Sequence, residues 1–322
     1  MFDPAVILLP IIITAAVFFL LFVLGSYFAY RKVFFSDRRK TCDPRSGIDR
    51  RGYKPYADRM RVYVEDIISL PCEKFEIVSR DGLKLSARYY HVADGAPVKI
   101  FCHGYRSTPL RDFAISSLEY REGRYNMLFI DHRAHGDSEG KTITFGIKER
   151  LDLIDWVNFI IGRFGSDVKI ILYGISMGGA TVLMAAGEPL PESVKAIISD
   201  CPYSSPIDII LKVGKEGGMP SFILKPLARF GARIFGRFSL TQASPKEAVK
   251  RSSVPILLIH GESDSFVPAY MSDEIYAMNP SITLEKFDGA DHAVCCLYDT
   301  EAYFELVNAF INRALSEDEY ED

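Results

Sequence analysis

Ile170-Ile171-Leu172-Tyr173-Gly174-Ile175-Ser176-Met177-Gly178-Gly179-Ala180 decides how this 322-residue chain folds. An apolar run ends in glycine, a serine stands between two glycines in the spacing G-x-S-x-G, and a helix of small residues follows. The pattern predicts a strand, a sharp turn and a helix. Gly174 and Gly178 leave out the side chains that would collide in such a turn, which lifts the Ser176 hydroxyl to the top of a sheet. A helix N-terminus directly behind the serine also favours a developing negative charge. Ser176 is the candidate nucleophile.

A serine hydroxyl is a weak nucleophile near neutral pH, so it needs a base, and the base needs a partner that fixes its tautomer. The chain order Ser, Asp, His is available downstream. His260-Gly261-Glu262-Ser263-Asp264-Ser265-Phe266-Val267-Pro268 follows an apolar run and offers Asp264. Asp288-Gly289-Ala290-Asp291-His292-Ala293 follows the last one and offers His292, the only histidine beyond His260. Glu262, Asp288 and Asp291 compete with Asp264 for the acid. Asp264 is favoured because it leaves a strand and because Val267-Pro268 can start the next helix. Two N–H donors are needed for an oxyanion. Met177, just after the nucleophile, should supply one. The loop Phe101-Cys102-His103-Gly104-Tyr105-Arg106-Ser107 should supply the other through Tyr105, with Gly104 allowing a close turn. His103 is read as a residue that ties this loop down, and Cys102 as a packed strand residue.

Outward from these loops the chain alternates short β-branched runs with longer helical patterns, the signature of an α/β domain with a mostly parallel central sheet flanked by helices. Phe75 to Val78 and Leu83 to Tyr90, joined through Asp81-Gly82, form a hairpin at one edge. Val98 to Cys102, Met127 to Ile130, Lys169 to Tyr173, Ala196 to Ser199 and Pro255 to Ile259 read as buried parallel strands, with Thr283 to Phe287 as the last. Helices are expected near Leu110 to Glu122, Ile147 to Ile161, Met177 to Ala186, Tyr270 to Met278 and Glu301 to Leu315. In an open sheet of this kind ligands bind beyond the carboxyl ends of the strands, where the candidate residues fall.

With these residues in hand the chain resembles the α/β-hydrolase superfamily of serine hydrolases. His103-Gly104, Asp131-His132-Arg133-Ala134-His135-Gly136-Asp137-Ser138, Gly174 to Gly178, His260 to Pro268 and Gly289 to His292 stand in the family's order, over roughly residues 72 to 316. The segment 131–138 resembles the family's D-x-R-G-x-G-x-S loop, which braces the site, with Ala134 in place of the usual glycine. Thr144-Phe145-Gly146-Ile147-Lys148-Glu149, ahead of Asp152 and Trp156, resembles the membrane-anchored Bem46-like branch, itself similar to dipeptidyl aminopeptidase and acylaminoacyl peptidase relatives. The resemblance implies an α/β-hydrolase fold and acyl transfer at Ser176. It leaves the substrate open.

Residues 1–30 read as a transmembrane anchor: no charge occurs from Pro4 to Tyr30, and Val6 to Leu24 is nearly all apolar. The leader Met1-Phe2-Asp3 lacks the basic start of a cleaved signal, and residues 25–30 are a poor cleavage site. Arg31, Lys32, Arg38, Arg39, Lys40, Arg45, Arg50, Arg51 and Lys54 follow the span, which places the rest of the chain on the cytoplasmic side of a cell membrane. Residues 31–71 are then a basic juxtamembrane linker, either lying along anionic headgroups or a solvated tether. Residues 72–322 form the hydrolase domain. An insertion at about 202–250 is a small helical cap, in which Phe222 to Phe238 carries Lys225, Arg229, Arg233 and Arg237 on one face and apolar residues on another. That helix reads as a lid with its apolar side over an acyl pocket, with membrane contact as the alternative. Gly214, Gly217 and Gly218 would let it move.

Composition bounds the partners. Lys and Arg total 38 against 42 Asp and Glu, a net charge of −4, so there is no basic footprint for nucleic acid. Six cysteines without a C-x-x-C pair point to reduced thiols, and no metal-ligand spacing or phosphate-binding glycine loop occurs, so neither metal nor organic cofactor is expected. The leading reading is a membrane-anchored serine hydrolase of carboxylic esters, with an acyl lipid or lysophospholipid as the substrate suggested by location. A serine peptidase acting on small peptides is the alternative within enzymes. A non-catalytic membrane-bound binding module is the alternative outside them. Oligomeric state is not legible.

Overall fold

A computed structural model describes residues 4–37, 43–49 and 52–316. Arg38, Arg39, Lys40, Arg50 and Arg51 of the basic segment, and Cys42, lie outside the described residues. Eight strands form one sheet: β1 (Glu73–Val78), β2 (Lys84–Tyr90), β3 (Val98–Cys102), β4 (Asn126–Ile130), β5 (Ile170–Ile175), β6 (Val194–Asp200), β7 (Ile256–Gly261) and β8 (Thr283–Phe287). Their order is β1-β2-β4-β3-β5-β6-β7-β8; β2 is antiparallel to both its neighbours and all other pairs are parallel. The central strands β3, β4, β5 and β7 are buried along their whole length, as their continuous apolar sequences require. The edge strands β1 and β8 alternate and place Glu73, Lys74, Glu76 and Glu285 toward solvent, which discourages pairing with another chain.

The helices, in chain order, are α1 (Pro4–Val33), α2 (Ala57–Ser69), α3 (Pro109–Asp112), α4 (Ser117–Glu122), α5 (Glu149–Phe164), α6 (Met177–Ala185), α7 (Pro206–Glu216), α8 (Ser221–Ile234), α9 (Pro245–Ala248), α10 (Tyr270–Tyr276), α11 (Cys295–Tyr298) and α12 (Thr300–Ser316). One apolar layer forms on each face of the sheet. Phe101, Phe113, Phe129 and Tyr173 pack with Val307 and Ile311 of α12 on one side. Trp156, Val157 and Ile160 of α5 pack with Ile100, Leu128, Leu172 and Leu258 on the other. The chain runs from β3 outward to β4 and returns past β3 to β5, so a crevice opens beyond the carboxyl ends of β3 and β5.

Two segments depart from their sequence reading. Residues 57–69 are not a tether: α2 is a buried helix whose Ala57, Met60, Val64 and Ile67 enter the same core as Phe113, and Arg59 donates to the Leu297 carbonyl and to Thr300. Its apolar positions recur at spacings of three and four but are interleaved with Asp58, Arg59, Arg61, Glu65 and Asp66, which hid them in a segment read for its charge. The insertion at 202–250 is helical as expected, but α8 does not cover a pocket at Ser176. It packs along the end of α1. Phe22 meets Phe230 edge to face at 5.1 Å, and Phe235 meets Tyr27 at 5.3 Å and Tyr30 at 5.9 Å. Gly231 comes so close that a Cβ there would lie 2.6 Å from the Ser26 carbonyl oxygen. A third apolar cluster results, joining Tyr30 and Phe34 of the N-terminal segment, Leu224, Ala228 and Ala232 of α8, and Met177 and Ala180 of α6.

Helix α1 is long and apolar enough to cross a membrane by length and composition, with a mean hydropathy of 2.8 over its best window. From Leu8 to Leu21 every residue is exposed; from Phe22 onward α8 covers it progressively, and Ser26 and Tyr30 are buried.

Candidate active site

Strand β5 ends at Ile175, and Ser176 makes the turn into α6 at φ 57° and ψ −114°, a left-handed backbone that a side chain other than glycine rarely adopts. Its own N–H donates to the Asp200 carbonyl at 2.8 Å, which pins the turn to the end of β6. The motif glycines are required by approach. A Cβ at Gly174 would land on the Gly178 carbonyl, and one at Gly178 on the Cys102 carbonyl at the end of β3. The turn therefore folds this way because the two motif glycines let three backbone segments touch.

Three predicted residues meet there. Nε2 of His292 lies 3.0 Å from Ser176 Oγ, and His292 Nδ1 lies 2.7 Å from Asp264 Oδ2. Asp264 is held from both oxygens: Oδ1 accepts the N–H groups of Phe266 (2.9 Å) and Val267 (2.7 Å). The competing acids are elsewhere. Asp291 accepts from the N–H and hydroxyl of Ser265 and from the backbone N–H of His292 but makes no bond to its ring, and Glu262 and Asp288 are exposed. Burial alone would raise the Asp264 carboxyl, but the charge and hydrogen bonds of His292 and His260 outweigh it and hold the group well below the usual carboxylate range. Asp264 is therefore an acceptor, and the Nδ1 of His292 is the donor, leaving Nε2 to face the serine.

The sequence reading assigned no role to His260. It is fully buried, Nδ1 lies 2.6 Å from the Ser272 hydroxyl, and Nε2 lies 2.8 Å from the Val267 carbonyl and 3.2 Å from Asp264 Oδ2. A carbonyl can only accept, so Nε2 carries the proton and presents it to the same side as Asp264. Its signal was present in the order His260-Gly261, directly ahead of the acid.

The loop after β3 brings Gly104 and Tyr105 beside Ser176. A Cβ on Gly104 would stand 3.5 Å from the Ser176 Cβ, and the Gly104 N–H donates to Asp112 Oδ2 at 2.8 Å. Ser107 bonds Asp112 and Arg111 in a buried network, and Arg111 also donates to the Ser46 carbonyl at 2.7 Å. Among the described residues no group accepts from the backbone N–H of Tyr105 or of Met177. His103 ties the loop to its neighbour: Nδ1 lies 2.8 Å from the Gly104 carbonyl, and Nε2 accepts the His132 N–H at 3.1 Å. Burial pushes His103 down to about 4, so it stays a neutral acceptor. His135 accepts the Arg106 N–H at 3.0 Å and is held well below the usual range by burial and by His103. Ala134 sits at φ 64°, the conformation for which the similar loop uses glycine.

The same loop grips the end of α1. Tyr105 Oη donates to the Val33 carbonyl at 2.7 Å, and Arg106 Nη2 donates to the carbonyls of Lys32 (2.8 Å) and Phe35 (3.0 Å). These carbonyls lie at a helix C-terminus, where a guanidinium is favoured both as a donor and as a charge. Sequence reasoning missed this because the partners are 71 to 74 residues apart and are backbone atoms.

A cavity of about 560 Å³ opens over Ser176 and His292, lined by Gly52, Tyr53, Tyr105, Arg106, Arg111, Phe266 and Ala293 among others and by no residue of the 202–250 insertion. Cys201, Asp264 and His292 have potential ligand atoms within 4.8 Å of one another. Burial and the neighbouring Asp200 and Asp264 push the Cys201 thiol far up, so it stays protonated, the wrong form for a metal ligand. Cys102 is buried in β3 and its thiol is pushed up by burial.

A family described as the alpha/beta hydrolase fold matches residues 100–217. The uncharacterized protein YqkD of Bacillus subtilis is 27% identical over 250 residues, 74% of this chain and 82% of its own. Protein bem46 of Schizosaccharomyces pombe is 24% identical over 263 residues, 80% of this chain and 82% of its own. A Pyrococcus furiosus esterase superposes with a TM-score of 0.59 at 26% identity, covering 77% of this chain and 94% of that one. With the sheet order, the Ser176 turn and these similarities together, the chain has the α/β-hydrolase fold and resembles the Bem46-like branch of that superfamily.

Proposed function

We propose that this hydrolase is a serine esterase anchored in the membrane by α1. Ser176 attacks the ester carbonyl, His292 takes its proton and returns it to the leaving alcohol, and Asp264 orients the imidazole and stabilises its charged form. The N–H groups of Tyr105 and Met177 receive the oxyanion, and the N-terminus of α6 adds to that field. Water then repeats the cycle on the acyl-enzyme. The observation that carries this reading is the hydrogen-bonded chain from Ser176 through His292 to Asp264 at the base of a cavity. The position of α8 removes the lid from the account of specificity. The acyl group instead meets Tyr53, Tyr105, Ile175 and Phe266, a setting for short or medium acyl chains, while the end of α1 beside the loop keeps acyl lipids and lysophospholipids as candidate substrates.

The test is turnover by the full chain in detergent of p-nitrophenyl esters of graded length beside aminoacyl nitroanilides. The reading expects ester turnover with an optimum at short or medium length. Nitroanilide turnover without ester turnover would move the serine peptidase reading ahead.

A further inference from the structure

Helix α8 has a covered side and an open one. Leu224, Ala228, Gly231 and Ala232 are buried. Ile223, Phe230 and Ile234, spaced by seven and four, form a neighbouring apolar stripe; Ile223 and Ile234 are 40% and 52% exposed. Phe230 in this stripe touches Phe22, one turn nearer the exposed part of α1 than Ser26, so the stripe is on the side toward which the bare apolar surface of α1 continues. Lys225, Arg229 and Arg233, one turn apart, form a second exposed stripe, followed by exposed Arg237, and none of them makes an ion pair among the described residues. Four uncompensated bases stand out in a chain of net charge −4.

The length of α1 sets the level at which α8 lies. The uncharged run from Pro4 to Tyr30 holds 27 residues. At about 1.5 Å per residue it spans roughly 40 Å, against about 30 Å for a hydrocarbon core. About 20 residues fill that core, and the remaining turn or two emerges at its edge, next to Arg31 and Lys32. Those last turns, Phe22 to Tyr30, are the ones α8 packs against.

We propose that α8 is an interfacial membrane helix that seats the domain on the anionic leaflet at which α1 ends. Ile223, Phe230 and Ile234 enter the boundary between headgroups and acyl chains, and Lys225, Arg229, Arg233 and Arg237 pair with the lipid phosphates and carboxylates. Because Gly231 and Gly25 let the two helices touch, α1 and α8 move as a unit, and the domain has two membrane contacts rather than a single pivot. This inference rests on the reading of α1 as a membrane span and is independent of the reaction at Ser176.

Tryptophan quenching by lipids brominated on their acyl chains tests it in the full chain reconstituted into vesicles. The native chain has one tryptophan, Trp156, fully buried between α5 and the sheet, which gives a constant background. Ile234→Trp reports on α8, Phe18→Trp on the exposed part of α1, and Phe164→Trp, exposed at the end of α5 beside Tyr89 of β2, on water. In vesicles of seven parts phosphatidylcholine to three of phosphatidylserine, the emission added by Ile234→Trp and Phe18→Trp should be lost and that of Phe164→Trp kept. Neutralising Lys225, Arg229 and Arg233 to Gln in the Ile234→Trp chain should weaken the seated state about fivefold per base, with Phe18→Trp unaffected. Quenching at 18 with none at 234 would overturn the proposal while leaving the anchor intact. Quenching at neither would overturn the anchor and the proposal with it. Equal quenching at 234 in pure phosphatidylcholine would overturn the role of anionic lipid.

Discussion

Removing the Arg106 side chain should slow catalysis without weakening substrate binding. Nη2 of Arg106 holds the carbonyls of Lys32 and Phe35 at 2.8 and 3.0 Å, and the neighbouring Tyr105 holds that of Val33 at 2.7 Å. Burial pushes the Tyr105 phenol up to about 12, so it remains a neutral donor at any working pH. Two charge-assisted bonds and a cation at a helix terminus are worth several kcal/mol when fully buried, but Arg106 is half-exposed and water can replace it, so about 1–2 kcal/mol is the appropriate share. If that energy holds residues 104–107 in place, Arg106→Ala lowers kcat about 5- to 30-fold, below the roughly 10²–10³ lost when an oxyanion donor is removed outright. KM should stay within about twofold, because the loss falls on an interaction made in the transition state. The assay is turnover of a short soluble ester by the full chain in detergent, with Phe18→Ala, on the exposed surface of α1, as the variant expected to behave like wild type. Tyr105→Phe should fall between the two. An Arg106→Ala enzyme with unchanged kcat, or one in which only KM rises, would refute the coupling between the end of α1 and the proposed oxyanion donor Tyr105.

Three further outcomes follow from buried groups. His260→Leu should reduce kcat about tenfold, short of the 10²–10⁴ that general acid–base catalysis supplies, because Asp264 loses the donor that Nε2 presents at 3.2 Å while its bond to His292 remains. Lys99 is fully buried in β3 against Glu119 and the Tyr125 ring; Glu119→Ala should cost about 3–5 kcal/mol in chemical denaturation, whereas Lys99→Met with Glu119→Leu should be close to neutral. His103 has a folded value of about 4 against 6.5 for the free side chain, so the unfolded chain binds a proton first as pH falls. Its contribution is intact above about 6.5 and declines down to about 4, and the stability of wild type relative to His103→Gln should therefore drop by about 3 kcal/mol between pH 7 and 4. The difference between the two proteins removes the opposing effect of Asp131, Asp152 and Asp200, whose carboxyls burial raises to about 6.

What was legible in the sequence was whatever depends on local pattern. A strand buried on both faces is a run of apolar residues, so Val98 to Cys102 was found with its observed bounds, and the alternation of an edge strand gave those of Thr283 to Phe287. The turn at Ser176 is forced by glycines two positions on either side, and the places of Asp264 and His292 follow from the loops that end β7 and β8. The rest depends on contacts between distant segments. Gly25 and Gly231 are ordinary glycines until α1 and α8 are seen to touch through them. The face of α8 opposite its bases is apolar in either setting, and an apolar face does not say whether it covers a pocket or another helix; the partner turned out to be α1. In α2 the buried positions are outnumbered by charges, so burial there is visible only against Phe113 and Tyr303. The contact of Arg106 with backbone carbonyls carries no side-chain signature in the sequence at all.

The engagement of residues 22–35 by α8 and by the loop after β3 also decides which protein to test: a chain begun at residue 31 would strip α8 of its partner. The most direct measurement is fluorophosphonate labelling of the full chain in detergent, beside Ser176→Ala, with the labelled residue identified by mass spectrometry. The account predicts one adduct, on Ser176, absent from the Ser176→Ala protein. Labelling that persists in the variant, or a folded wild-type chain that never labels, would contradict it.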